Sequence, residues 1–462
     1  MTDGPYARAL ARVPDYQRFL TVDEMIASAR RVVADNPTLA SIEAIGTSTD
    51  GEPIHMVRIG TGPQRLLAYA LPHPNEPIGA MLVQFLLHEL IRDEALRAGR
   101  SWYLLPCVDP DGTRLNEGWF AGPYTIRNYA RHFFRPRSQE QVEWTFPIRY
   151  KTFASDTPMS ETRALMQAID TVRPHFVYSL HNAGFGGAYY YLTHEAPEAY
   201  EALHAIPKRR GLFLSLGEPE MPWATEFHPA VFKAPTLADM YDHLESYGEG
   251  DPADTIPGGA SSFDYLRTSG LDDTVALVTE LPYFQAPQIE DQTPIASTRR
   301  EVILTGIERT GEVMDVLERS LERLAPFLTL DTRLHRAVSA FVPYMRKNDA
   351  ATARWATGAD GMDAPATVAQ AADTLHIGLF YRLLIASMLP RAIDAQLAVD
   401  ASAGPAHQTL LEERGVLWDH LERWAGEIEA NLDISAVAIK PLVEVQYGAM
   451  LALLDSGRVP TG

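Results

Sequence analysis

Residues 66–90, LLAYALPHPNEPIGAMLVQFLLHEL, constrain the fold more than any other stretch of this chain. The apolar run at Leu66–Leu71 has the length and composition of a buried strand, and apolar residues from Ile78 to Leu90 recur at helical spacing. Between them two prolines decide the loop. Pro74 pushes His73 into extended backbone, and Pro77 suits the first turn of a helix but not its interior. His73 and Glu76 therefore leave the carboxyl end of a strand and do not share a helix face. That excludes the helical H-E-x-x-H zinc arrangement, whose ligands sit one turn apart. A His and a Glu with two residues between them can still meet on one metal if the loop curls around it.

Three further buried strands end on polar groups. SWYLLPCV runs into DPDG at Asp109–Gly112, HFVYSL into His181 and the glycine-rich HNAGFGG, and TVALVTE ends on Glu280. Ahead of them, Thr21 caps a helix with Glu24 three residues on, and Asp50-Gly51 marks a hairpin. SETRALMQAIDTVRP is a helix with Ser160 at the cap position and Pro174 past its end. Residues 113–157, rich in aromatics and Arg, form a loop region too long to be idle, and YGEGDPADTIPGGASS is a surface loop over the strand ends. A long helix follows from Ser297 to Leu324. Beyond Ala325 strand signals vanish and amphipathic helices succeed one another, with breaks at Gly358–Pro365 and Ala401–Pro405. The pattern predicts an α/β domain over residues 1–325 and an all-α C-terminal domain of three to five helices over residues 326–462.

A net charge of −20 argues against nucleic acid or an anionic membrane surface as partner. The single Cys107 excludes an internal disulfide framework and suits a reducing compartment. The N-terminal stretch MTDGPYARALARVPDYQRFL has no apolar core of signal-peptide length, and no run approaches the roughly 18 apolar residues of a membrane span. A cytoplasmic location is expected. The amphipathic C-terminal helices offer a surface for a homo-oligomer.

In open α/β sheets ligands bind outside the carboxyl ends of the strands, so neighbouring strands would bring His73, Glu76, His181 and Glu280 to one crevice. Two His and one Glu leave a fourth position for water, the arrangement of catalytic zinc, and a further Glu can serve as general base. HPNE at 73–76, DPDG at 109–112, SETRAL at 160–165, SLHNAG around His181, the GG…FDY of Gly258–Tyr265 and TELP at 279–282 together resemble the zinc metallocarboxypeptidases of the carboxypeptidase A type. The resemblance covers roughly residues 15–325. It implies a twisted, mixed, mostly parallel sheet flanked by helices, one zinc held by His73, Glu76 and His181, and Glu280 as the base.

The resemblance also implies arginines between DPDG and the third ligand that hold a substrate carboxylate and polarise the scissile carbonyl. The family's Asn-Arg pair followed by an aromatic is missing, and NYARHFFRPR stands in its place. By spacing Arg131 fits best, Arg135 second, and Arg114 suits the carbonyl; Phe263 stands where the family sets side-chain preference. The expected activity is zinc-dependent hydrolysis of an amide bond in a small peptide or N-acyl amino acid with a free carboxylate. Two alternatives are a deacylase or amidase of a non-peptide metabolite, and a pseudo-enzyme whose helical domain mediates assembly.

Overall fold

A computed structural model describes residues 6–400 and 404–461. Its centre is one sheet of nine strands. These are β1 (Ala40–Thr47), β2 (Pro53–Ile59), β3 (Gln64–Ala70), β4 (Arg100–Leu105), β5 (Phe176–Leu180), β6 (Tyr189–Leu192), β7 (Glu226–His228), β8 (Val231–Lys233) and β9 (Val275–Glu280). They lie in the order β1-β2-β4-β3-β5-β9-β6-β8-β7. The four central strands β4, β3, β5 and β9 are mutually parallel, whereas β2 joins β4 and β6 joins β9 antiparallel. The Asp50-Gly51 turn closes the β1–β2 hairpin, with Gly51 at φ 92°. The four strands singled out by their polar ends are thus the four neighbours at the middle of the sheet.

The helices used below are α1 (Val22–Asp35), α2 (Ile78–Arg92), α3 (Ile126–His132), α4 (Ser160–Val172), α5 (Pro197–Arg209), α6 (Leu237–Tyr247), α7 (Arg299–Leu324), α8 (Arg333–Gly358), α9 (Gly378–Val399), α10 (Pro405–Asn431) and α11 (Ile439–Asp455). Thr21 and Glu24 form the expected capping box on α1. At α4 the expectation fails by one residue: Ser160 is the first helical residue, and Met159 at the cap position makes no side-chain bond. Of the N-terminal stretch, Met1–Pro5 lie outside the described residues, as do Ala401–Ala403 in the expected break before Pro405.

Strand alternation assigns the two faces of the sheet. In β3, Leu66, Ala68 and Ala70 enter one apolar cluster, with α1, α2 and α11. Leu67 and Tyr69 enter a second cluster, with α4 and α6. The helices beyond Leu324 share the first cluster. Tyr447 of α11 packs edge-on to Phe85 of α2, ring centroids 5.0 Å apart, and Tyr178 of β5 donates its hydroxyl to the Gln446 carbonyl at 2.9 Å. Arg333 of α8 reaches back to Asp111 of the DPDG turn at 3.0 Å.

One expectation is corrected here. Val368–Val399 is a helix long and apolar enough, by length and composition, to cross a membrane, although no such run was expected; 61% of its most apolar window is buried inside the protein. Leu, Ile, Ala and Met fill all sides of this helix because α7, α8 and α10 surround it. Asp373–Ile377 form a π turn within it.

Candidate active site

The metal-binding candidates meet as the strand ends require. After β3, Leu71 takes a left-handed backbone (φ 57°) and turns the chain. The Glu76 amide then closes the loop on the His73 carbonyl at 3.1 Å, and α2 starts at Ile78 behind Pro77. His181 follows β5 directly. His73 Nδ1 lies 3.1 and 3.2 Å from the two Glu76 oxygens. His181 Nδ1 lies 3.0 Å from Glu76 Oε2 and 3.1 Å from His73 Nδ1. All three residues are buried.

The chemistry of this set calls for a cation. Two imidazole nitrogens and a carboxylate present lone pairs to one point, and a single proton satisfies only one pair of them. Burial and Arg135 push His73 down to about 4. Burial also works against a charged His181, but Glu143 and Glu76 raise it to about 10. Burial would likewise raise Glu76, yet His73 and Arg135 hold its carboxyl well below the ordinary range. A divalent metal with N/O preference satisfies all three donors together, so the residues present fit zinc.

Behind His181 stands a residue that the sequence pattern did not single out. Ser179 Oγ lies 2.7 Å from His181 Nε2 and donates to Glu143 Oε1 at 2.9 Å. The Glu143 carboxylate also accepts from the Tyr69 hydroxyl at 2.7 Å and from the Ser262 amide at 2.9 Å. Burial opposes its ionisation, but His181, Tyr69 and Ser262 keep its carboxyl down to about 2. With its one proton given to Glu143, Ser179 is left to accept from His181 Nε2, while Nδ1 faces Glu76 and His73; this is the outer support a metal-binding His requires. Glu143 sits in a single 3-10 turn, Val142–Trp144, in a stretch without apolar periodicity, so the sequence carries little signal of it.

Glu280 ends β9 and borders the same cavity of about 640 Å³ as His73 and Glu76. Burial, then the charge of Glu76, pushes its carboxyl well above the ordinary value, and its Oε2 has no hydrogen-bond partner. Arg135 borders the cavity too. Its Nη1 donates to Glu76 Oε1 at 2.7 Å and to Asn75 Oδ1 at 3.2 Å, and its Nε to Gln141 at 2.8 Å. Ile256–Gly259, from the loop expected over the strand ends, also line the cavity.

The other two arginines and Phe263 are corrected by their positions. Arg131 is on the outer face of α3, half exposed, donating to Glu422 at 2.9 Å and lying 4.8 Å over the Trp418 ring. Its helical neighbour Tyr129 faces the cavity instead, because a helix turns about 100° per residue. Arg114 is committed to Glu52 and Asp23, at 2.5 and 2.7 Å. Phe263 is buried in the second apolar cluster and does not border the cavity. The glycines after His181 make room for the protein itself: a Cβ on Gly184 would stand 2.8 Å from Phe380 of α9, and one on Gly187 2.3 Å from the Ser215 amide.

Residues 25–211 match the family model described as zinc carboxypeptidase. No curated protein matches the chain significantly. Among solved structures, bovine thrombin-activatable fibrinolysis inhibitor in complex with tick carboxypeptidase inhibitor is similar at 11% identity and a TM-score of 0.39, covering 57% of this chain and 86% of that one. The carboxypeptidase A from Helicoverpa armigera gives 14% identity and a TM-score of 0.37, over 60% of this chain and 69% of that one. A metallo-carboxypeptidase from Burkholderia cenocepacia gives 16% identity and a TM-score of 0.34, over 57% and 60%. The zinc carboxypeptidase model thus matches residues 25–211, under half of the chain, and the His73, Glu76 and His181 set lies inside the matched stretch.

Proposed function

We propose that this protein hydrolyses the amide bond of a small peptide or N-acyl amino acid that carries a free carboxylate. The observation that carries the reading is the convergence of His73, Glu76, Glu280 and Arg135 on one cavity of about 640 Å³, with His181 closing the metal-binding set beside His73 and Glu76. A cavity of this size suits a substrate of a few residues. His73, Glu76 and His181 would hold zinc, which would supply the Lewis acidity to polarise a carbonyl and acidify water. Glu280, which borders the cavity with its Oε2 unpartnered, takes a proton from the attacking water and delivers it to the departing nitrogen. Arg135, beside Glu76, donates to the carbonyl oxygen as negative charge builds there. Tyr283 donates to the Asn75 carbonyl at 2.9 Å and so holds the loop that carries His73 and Glu76.

The test is hydrolysis of a panel of N-acyl amino acids and dipeptides by the zinc-supplied full chain, with and without chelator. Chelator-sensitive cleavage of at least one member is expected. No cleavage of any member by protein that holds zinc overturns the reading. A second reading, an amidase of a metabolite without a carboxylate, is favoured by the placement of Arg131 and Arg114 outside the cavity. It predicts that amidated substrates are cleaved as fast as free acids.

A further inference from the structure

The wall of the cavity opposite the sheet comes from the helical part of the chain. Tyr344, Asn348, Asp349 and Thr352 border it from one face of α8, at the spacing of successive turns. From α9, just past the π turn, Arg382 joins them. A helix face that packed against a core would be apolar at these positions; here α8 presents hydroxyl, amide and carboxyl groups to an open space, and α9 adds a guanidinium. The side chains of Tyr344, Asn348 and Thr352 have no hydrogen-bond partner among the described residues.

Arg382 has 14% of its side chain exposed, and its one recorded bond is Nη2 to Asp349 Oδ1 at 2.5 Å. A guanidinium has five donors in a planar fork, so a single contact from Asp349 orients it and leaves an edge to spare. Among the described residues the cavity is bordered by two cations only, Arg135 and Arg382. Arg135 is held by Glu76, Asn75 and Gln141, and its remaining donors are assigned to the carbonyl oxygen. Of the lining acids away from the metal, Glu218 is held by Arg299, and burial with the charge of Glu218 pushes the Asp373 carboxyl up to about 8, uncharged at neutral pH. Glu220, at the exposed rim, accepts from Tyr189 and Tyr191 and repels an anion placed there.

We infer that Arg382, with Tyr344 and Asn348 beside it, receives the anionic end of the substrate, so that the helical part of this chain supplies the carboxylate-binding subsite. The inference rests on the proposed hydrolysis of small carboxylate-bearing amides and names the subsite for their charge. Asp349 holds the fork, Arg382 gives two N–H donors to the carboxylate, and the Tyr344 hydroxyl and Asn348 amide are placed to donate as well.

The experiment is calorimetric binding of N-acetyl-leucine and of N-acetyl-leucinamide to the zinc-loaded full chain. A charge-assisted contact predicts that the acid binds about tenfold to hundredfold more tightly than the amide. In Arg382→Lys the Asp349 ion pair is retained but the fork is lost, and the ratio should fall to near unity with amide binding unchanged. Tyr344→Phe, which leaves the ion pair untouched, should lower the ratio about threefold to tenfold. Equal binding of acid and amide by the wild type, no binding of either, or an unaltered ratio in folded Arg382→Lys overturns the inference. Should Arg382→Lys not fold, an unaltered ratio in Tyr344→Phe overturns it. Failure of the hydrolysis reading looks different: acid and amide are told apart, yet no amide is cleaved.

Discussion

Glu280→Gln should make the metal-free protein more stable while nearly abolishing turnover. The wild-type carboxyl is buried at the end of β9, beside Glu76, with Oε2 unpartnered. Burial and Glu76 raise it well above its ordinary value, so the folded chain holds that proton more tightly than the unfolded chain does. A group raised in this way contributes its full stability below the ordinary carboxylate pKa of about 4.3 and loses it as pH rises through the folded value. Gln keeps the size and removes the titration. The gain in unfolding free energy should therefore be near zero at pH 4 and on the order of 1–3 kcal/mol at pH 8, the cost of a poorly compensated buried polar group. The zinc-loaded variant should turn over about 10²- to 10⁴-fold more slowly, the usual contribution of a positioned acid or base. Denaturant melts of both metal-free proteins at the two pH values give the first quantity; turnover per bound zinc gives the second. A variant no more stable than wild type at pH 8 refutes the strain assigned to Glu280, and equal turnover refutes its role as base.

Other predictions follow from the same contacts. Ser179→Ala and Glu143→Gln should weaken zinc about tenfold to hundredfold in chelator competition, because both interrupt the support of His181; unchanged affinity in both would show that the contact orients nothing. Arg131→Ala should leave kcat/KM within about twofold and cost less than about 1 kcal/mol in a denaturant melt, as for an exposed ion pair. A tenfold loss of kcat/KM in Arg131→Ala would return Arg131 to the site.

The parts of the site carried by backbone signals were legible in the sequence. Pro74 and Pro77 bracket His73 and Glu76, strand patterns end at His181 and Glu280, and the sheet makes those strands neighbours. The arginines were not legible, because spacing along NYARHFFRPR does not say which residues continue a helix and which follow it. α3 ends at His132, which turns Arg131 outward and leaves Arg135 on extended chain near Glu76. Glu143 was missed because its role depends on Tyr69, Ser179 and Ser262, residues far apart in sequence. The cavity wall was missed for another reason: Tyr344, Asn348 and Thr352 sit on a helix whose amphipathic stripe reads as core, and only the tertiary arrangement opens a space before them.

The central claim is that His73, Glu76 and His181 hold a zinc on which hydrolysis depends. Titrating metal-free protein with zinc while following cleavage of a small N-acyl dipeptide tests it most directly. Activity should rise linearly and break at about one zinc per chain, as for a single three-ligand site, and His181→Ala should show neither the rise nor the break. Full activity in the chelated protein, or a wild-type titration curve in His181→Ala, contradicts it.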